Sequence, residues 1–112
     1  FYFEVQVKGK TAWALGVARE STKRKGDIIL NPKNGYWTVW LFYWNEYAAF
    51  SGPPRIGVFV DYEEGLVSFY DAETSSHIYS FTGQSFTEKL YPYFSPSFGY
   101  NGTNVTPLII TP

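Results

Sequence analysis

Apolar and polar side chains alternate with a period of two along most of this chain, and that period constrains its fold more than any other feature. Phe1, Phe3, Val5 and Val7 alternate with Tyr2, Glu4, Gln6 and Lys8. Trp13, Leu15 and Val17 alternate with Ala14, Gly16 and Ala18, and Ile56, Val58 and Val60 with Gly57, Phe59 and Asp61. Successive side chains of a strand point to opposite faces, so this pattern belongs to strands with one face on a core. The excess of aromatic and β-branched residues agrees with it.

Turn signals cut the pattern into short pieces. Gly9-Lys10 predicts a tight hairpin between the first two strands, and Asn34-Gly35 precedes a strand over residues 36–43. Glu63-Glu64-Gly65 joins Arg55–Asp61 to Leu66–Asp71 as a second hairpin. Ser51-Gly52-Pro53-Pro54 is a break through which no strand continues. Further strands are expected over 78–81, 91–94 and 108–111. Ser85-Phe86-Thr87-Glu88 is suited to one helical turn, which Pro92 keeps short. Short strands with frequent turns predict an all-β fold, an antiparallel sandwich or barrel with little or no helix. Trp13, Trp37, Phe59, Phe69 and Phe81 are its expected core aromatics.

The composition narrows the function. The 112 residues are 21% aromatic and 17% charged, with a net charge of −1. One domain of this length holds one core. So many aromatics oppose disorder, and the neutral balance opposes a nucleic-acid partner, which needs a basic excess. There is no cysteine and a single histidine, His77, so neither a thiolate site nor a site with two histidine ligands is expected, and no cofactor. No apolar run reaches the roughly 20 residues of a membrane span. The start, Phe1-Tyr2-Phe3-Glu4, has neither the basic flank nor the cleavage site of a signal peptide and lies inside a strand pattern, so further chain is expected before it.

Several stretches, in order, carry a family resemblance. They are Phe3-Glu4-Val5-Gln6-Val7, Trp13-Ala14-Leu15-Gly16-Val17-Ala18-Arg19-Glu20-Ser21, Lys25-Gly26 and Gly35-Tyr36-Trp37-Thr38-Val39-Trp40. Val60-Asp61-Tyr62-Glu63, Phe69-Tyr70-Asp71, Ile78-Tyr79-Ser80-Phe81 and Tyr91-Pro92-Tyr93-Phe94-Ser95-Pro96 complete the set. Over nearly its whole length the chain resembles the SPRY domain of tripartite-motif and butyrophilin-like proteins. The resemblance implies a bent, concanavalin-like antiparallel sandwich spanning 1–112, with no enzyme activity. It implies a cytoplasmic module that recognises a protein through variable loops at one end. In tripartite-motif proteins such a module selects the target of an attached ubiquitin ligase, often in innate immunity. The implied partner is a viral or host protein, and the resemblance extends to members that bind antibody Fc.

The chain also departs from that pattern. The PRY segment that usually precedes SPRY is absent, which leaves a sheet edge open to self-association. Pro53-Pro54 runs almost directly into Arg55-Ile56-Gly57, where relatives hold about ten more residues, enough for a loop and a short strand. The junction reads either as an omitted loop or as a lost strand. Phe42-Tyr43-Trp44 stands where relatives have polar residues, and Gly99-Tyr100-Asn101 replaces an N-D-G type turn.

Among polar residues, the bland readings prevail. Asp61 and Glu63, two apart at a hairpin, are the best local carboxylate pair for a hydrolase, but turn corners favour such residues for their bonds to backbone amides. His77 beside Ser75-Ser76 lacks the spacing of a catalytic pair. Lys23-Arg24-Lys25 reads as a solvated loop rather than a phosphate site. The sequons Asn101-Gly102-Thr103 and Asn104-Val105-Thr106 read as polar turns.

The aromatic run Trp40-Leu41-Phe42-Tyr43-Trp44 does not fit a bland reading. If Trp37, Val39 and Leu41 face inward, Trp40 and Phe42 face outward, with Tyr43 and Trp44 at the strand end. An exposed cluster of this kind marks an interface. By the family resemblance, the loop 97–102 with Phe98 and Tyr100 approaches it. The expected ligand site is therefore Trp40, Phe42, Tyr43, Trp44, Phe98 and Tyr100, with Glu20, Glu46 and Lys23-Arg24-Lys25 as a polar rim. A carbohydrate-binding sandwich, stacking the same aromatics on sugars, is the alternative.

Overall fold

The computed structural model describes residues 1–22, 29–95 and the backbone of 110–111. The strands are β1 (Tyr2–Gln6), β2 (Ala12–Arg19), β3 (Tyr36–Phe42), β4 (Arg55–Asp61), β5 (Leu66–Asp71), β6 (His77–Phe81), β7 (Leu90–Ser95) and β8 (Ile110–Thr111). All their pairings are antiparallel. They form two sheets, β6-β5-β4-β1-β8 and β3-β2-β7. The chain is an antiparallel β-sandwich, one of the two architectures its period of two allows.

The core lies between the sheets. Phe3, Val5 and Val7 meet Trp13, Leu15, Val17 and Trp37 there, together with Ile56, Val58, Val60, Val67 and Phe69. Phe81 packs against this cluster from one side. Phe59 does not join it. The residue is 37% exposed because Val58 and Val60, its strand neighbours, take the inward face. Its cross-strand partner is Ser68, whereas Val58 stands opposite the buried Phe69.

β2 is buried on both faces. Its outward residues Ala14, Gly16 and Ala18 are small, and larger neighbours fold over them. Tyr36 stands opposite Ala18 and Tyr93 opposite Gly16. Their rings meet edge to face with centroids 5.3 Å apart. A β-carbon at Gly16 would collide with the backbone of Trp37 and Thr38.

Two turn expectations fail. Gly9-Lys10 does not close a hairpin, because β1 pairs with β4 and β8, and β2 with β3 and β7. The Lys10 amide still donates to the Val7 carbonyl, but the turn carries the chain from one sheet to the other. The segment 85–88 forms no helical turn, being held by partners distant in sequence. Phe86 packs edge to face on Trp37, 4.9 Å between centroids, and Glu88 accepts from the Ser21 amide and hydroxyl. The one α-helix among the described residues, α1 (Glu46–Ser51), follows β3 instead.

Candidate recognition site

The site is built where β3 leaves its sheet. Trp37 is buried and Val39 and Leu41 pack against the core, so Trp40 and Phe42 must point outward. They are 64% and 55% exposed. Tyr36 and Thr38 share that outer face but are buried. The face is therefore buried at the start of β3 and more than half exposed at its end.

Beyond β3, the Tyr43 amide donates to the Thr11 carbonyl at 2.6 Å, holding the chain against the entry to β2. The Tyr43 ring folds back over Gly52, where any β-carbon would strike its hydroxyl. Burial raises the pKa of that hydroxyl above the ordinary tyrosine value. Trp44, one residue on, is 89% exposed.

Asn45 then starts α1. Its side-chain oxygen accepts from the Ala48 amide at 2.8 Å, the bond expected of an N-cap. Glu46 occupies the first turn, where a carboxylate suits the helix dipole. Phe50 seats the helix by lying over Gly9, which has a φ of +76°. Tyr47, on the same helix, stands out into solvent.

Two concavities result. A hollow of about 280 Å³ gathers Phe42, Tyr43, Trp44 and Glu46 with Thr11, Ala12 and Asn45. A groove of about 630 Å³ runs beside it between β3 and β6, with Trp40 and Tyr43 among its lining residues. The two share Tyr43.

Five of the expected residues, Trp40, Phe42, Tyr43, Trp44 and Glu46, thus come together. Glu20 does not. It follows the far end of β2, where its carboxylate accepts from the Tyr91 hydroxyl at 3.0 Å. Phe42 pairs with Ala12 and Tyr36 with Ala18, so Glu20 and Trp44 lie beyond opposite ends of the sheet. Phe98, Tyr100 and Lys23-Arg24-Lys25 lie outside the described residues.

The sequence reading missed α1 and the exposed Tyr47 and Phe50. The signal was present in Asn45, a capping residue directly before Glu46 and a pair of alanines. The polar candidates take structural roles. Asp61 accepts from the Glu64 amide at 3.1 Å across the β4–β5 turn. His77 pairs through Nε2 with the Ser80 hydroxyl at 2.7 Å, which in turn meets the Ser68 hydroxyl at 2.7 Å.

A two-sheet antiparallel sandwich with an aromatic patch at one end of the smaller sheet is the architecture of a binding module. The SPRY domain model matches residues 1–109, and the chain belongs to that family. It is 52% identical to "Nuclear factor 7, brain" of Xenopus laevis, over 96% of this chain and 19% of that protein. It is 46% identical to human pyrin, over 99% of this chain and 16% of pyrin. It is 43% identical to the E3 ubiquitin-protein ligase TRIM21 of Bos taurus, over 99% of this chain and 26% of the ligase. The chain thus spans about a quarter or less of the curated relatives it matches. The stonustoxin structure shares the fold, with a TM-score of 0.62 and 23% identity over 83% of this chain and 17% of that one.

Proposed function

We propose that this chain is the target-recognition module of a larger protein and binds a protein ligand with the aromatic end of its smaller sheet. The observation that carries this reading is the exposure of Trp40, Phe42 and Trp44 within five residues, beside a hollow rimmed by Glu46. Soluble surfaces rarely leave such residues bare together, and Trp is the residue most enriched at binding hot spots. Family membership supports protein recognition without catalysis. The similarity to a ubiquitin ligase supports a role in choosing that enzyme's substrate, and we place that role in a cytoplasmic, innate-immune setting on the family resemblance alone. On the family resemblance, Phe98 and Tyr100 contribute to the same surface.

Affinity capture from cell extract tests the reading. The full chain serves as bait beside a Trp40→Ala/Trp44→Ala variant whose circular dichroism matches the parent. A protein enriched by the parent and lost with the variant is the expected result. Equal enrichment by both would move the site to another face.

A further inference from the structure

The groove between β3 and β6 reaches the space between the two sheets. β3 ends the smaller sheet and β6 ends the larger. Trp13, Val39 and Leu41 line the groove from the smaller sheet, and Ile56 and Phe81 line it from the larger. Trp13 and Ile56 belong to the buried core, and the other three pack against it. The groove is therefore an opening into the core. Its volume of about 630 Å³ is that of a small-molecule site.

Two polar groups in its walls are unmet. The Trp13 indole Nε1 and the Thr38 hydroxyl have no hydrogen-bond partner among the described residues. Trp13 is 3% exposed and Thr38 is 7% exposed, so little solvent reaches either. Buried polar groups are normally paired, and leaving one unmade costs free energy. An indole N–H can only donate, whereas a hydroxyl donates or accepts. Trp13 therefore fixes the sign of what completes it, which is an acceptor.

We propose that this groove binds an uncharged, mainly apolar small molecule that carries a carbonyl or similar acceptor for the Trp13 indole. The site goes beyond the protein recognition proposed above and does not depend on it. None of the lining residues is charged, so an ionised ligand would be buried there without a counterion. The lining is mostly aliphatic and aromatic with a few polar groups, which is the make-up of a small-molecule pocket. A polypeptide suits it less well, because every residue brings an amide or a carbonyl that needs a partner. At the start of β3 the Tyr36 amide already donates to the Asn31 carbonyl, and the Asn31 side chain already accepts from the Asn34 amide. The apolar body of the ligand lies against Val39, Leu41 and Phe81, and its acceptor meets Trp13.

Three compounds of one shape test the site on the full chain. They are benzophenone, diphenylmethane, which lacks the carbonyl, and 4-benzoylbenzoate, which adds a charge. Ligand-observed NMR gives the affinities. The indole N–H resonance of Trp13, assigned with Trp13→Phe, reports the contact. In the expected result benzophenone binds at least about fivefold more tightly than diphenylmethane, and only benzophenone moves the indole proton downfield. The benzoate binds at least about tenfold more weakly than benzophenone. Apolar adsorption alone predicts the reverse order for the first pair, because diphenylmethane is the more apolar compound. Trp13→Phe keeps an aromatic ring without the donor, and its preference for ketone over hydrocarbon falls to within about twofold. If that variant melts too low to titrate, the indole shift in the parent chain decides. An unmoved indole, equal binding by ketone and hydrocarbon, or benzoate binding as tight as benzophenone overturns the site. A captured protein ligand that moves the indole where benzophenone does not overturns it in favour of a polypeptide occupant.

Discussion

Trp37 donates its indole hydrogen to Oε1 of Gln84 at 3.0 Å, across 47 residues of sequence. Trp13, on the neighbouring strand and the same inward face, has an indole nitrogen with no partner among the described residues. The two tryptophans share residue type, sheet and burial. They differ in position along the strands, since Trp37 lies where the loop after β6 folds over the core and Trp13 lines the β3–β6 groove.

Gln84→Ala removes the acceptor from Trp37 and leaves a buried donor unsatisfied. The expected loss of stability is about 1–3 kcal/mol. Gln84→Glu, which keeps an oxygen in place, loses less. Urea denaturation of the three chains checks the order.

Phe69→Ala and Phe59→Ala separate the two faces of the larger sheet. Phe69 is fully buried and packs edge to face with Phe81, and its truncation is expected to cost about 3–5 kcal/mol. Phe59 lies on the outer face at 37% exposure, and its truncation is expected to cost less than about 1.5 kcal/mol. Guanidinium midpoints distinguish them. A larger loss at Phe59 would refute the assignment of faces.

The Ser21 hydroxyl holds the Glu88 carboxyl below the usual glutamate pKa, aided by the Ser21 amide and the nearby Arg19 guanidinium, with partial desolvation working against them. A folded-state pKa below the unfolded one means that the unfolded chain takes up the proton first. The contribution to stability is complete above the ordinary glutamate value and is lost as pH falls through the depressed one. Ser21→Ala is expected to raise the Glu88 pKa toward the ordinary value, as followed by carbon-13 NMR titration. It should also flatten this part of the acid dependence.

Asn45→Ala removes the side chain that caps the start of α1 and is expected to cost about 1 kcal/mol, whereas Asn45→Asp keeps most of that stability. Thermal melts and the far-ultraviolet signal report the loss. Trp44 and Glu46 flank the cap, so ligand affinity should fall along with helix content, without any change to a contacting aromatic.

Much of the fold was legible in the chain. The period of two and the turn signals together located β1 through β5, and the boundaries of β4 and β5 agree with the expected Arg55–Asp61 and Leu66–Asp71. The period also placed Trp40 and Phe42 on the outside, because alternation from a buried Trp37 leaves no other choice. The residue order also marked the family. Local signals failed where partners were distant. Gly9-Lys10 has the chemistry of a tight turn, but a turn does not state which sheet the chain enters next. The segment 85–88 has helical residues, yet Phe86 lies against Trp37 and Glu88 against Ser21.

What the sequence by itself determined is that the elements are mostly strands, the face that most of their residues take and the family of the whole. These follow from nearest-neighbour geometry, in which a side chain's direction depends on its position along its own strand. Only the tertiary structure decided that Glu20 and Trp44 lie beyond opposite ends of one sheet. It alone buried Tyr36 and left Trp40 on the same face largely exposed, and it alone opened a groove over Trp13 and Thr38. Those outcomes depend on which strands become edges and on what the connecting segments cover, and period and composition carry no record of either.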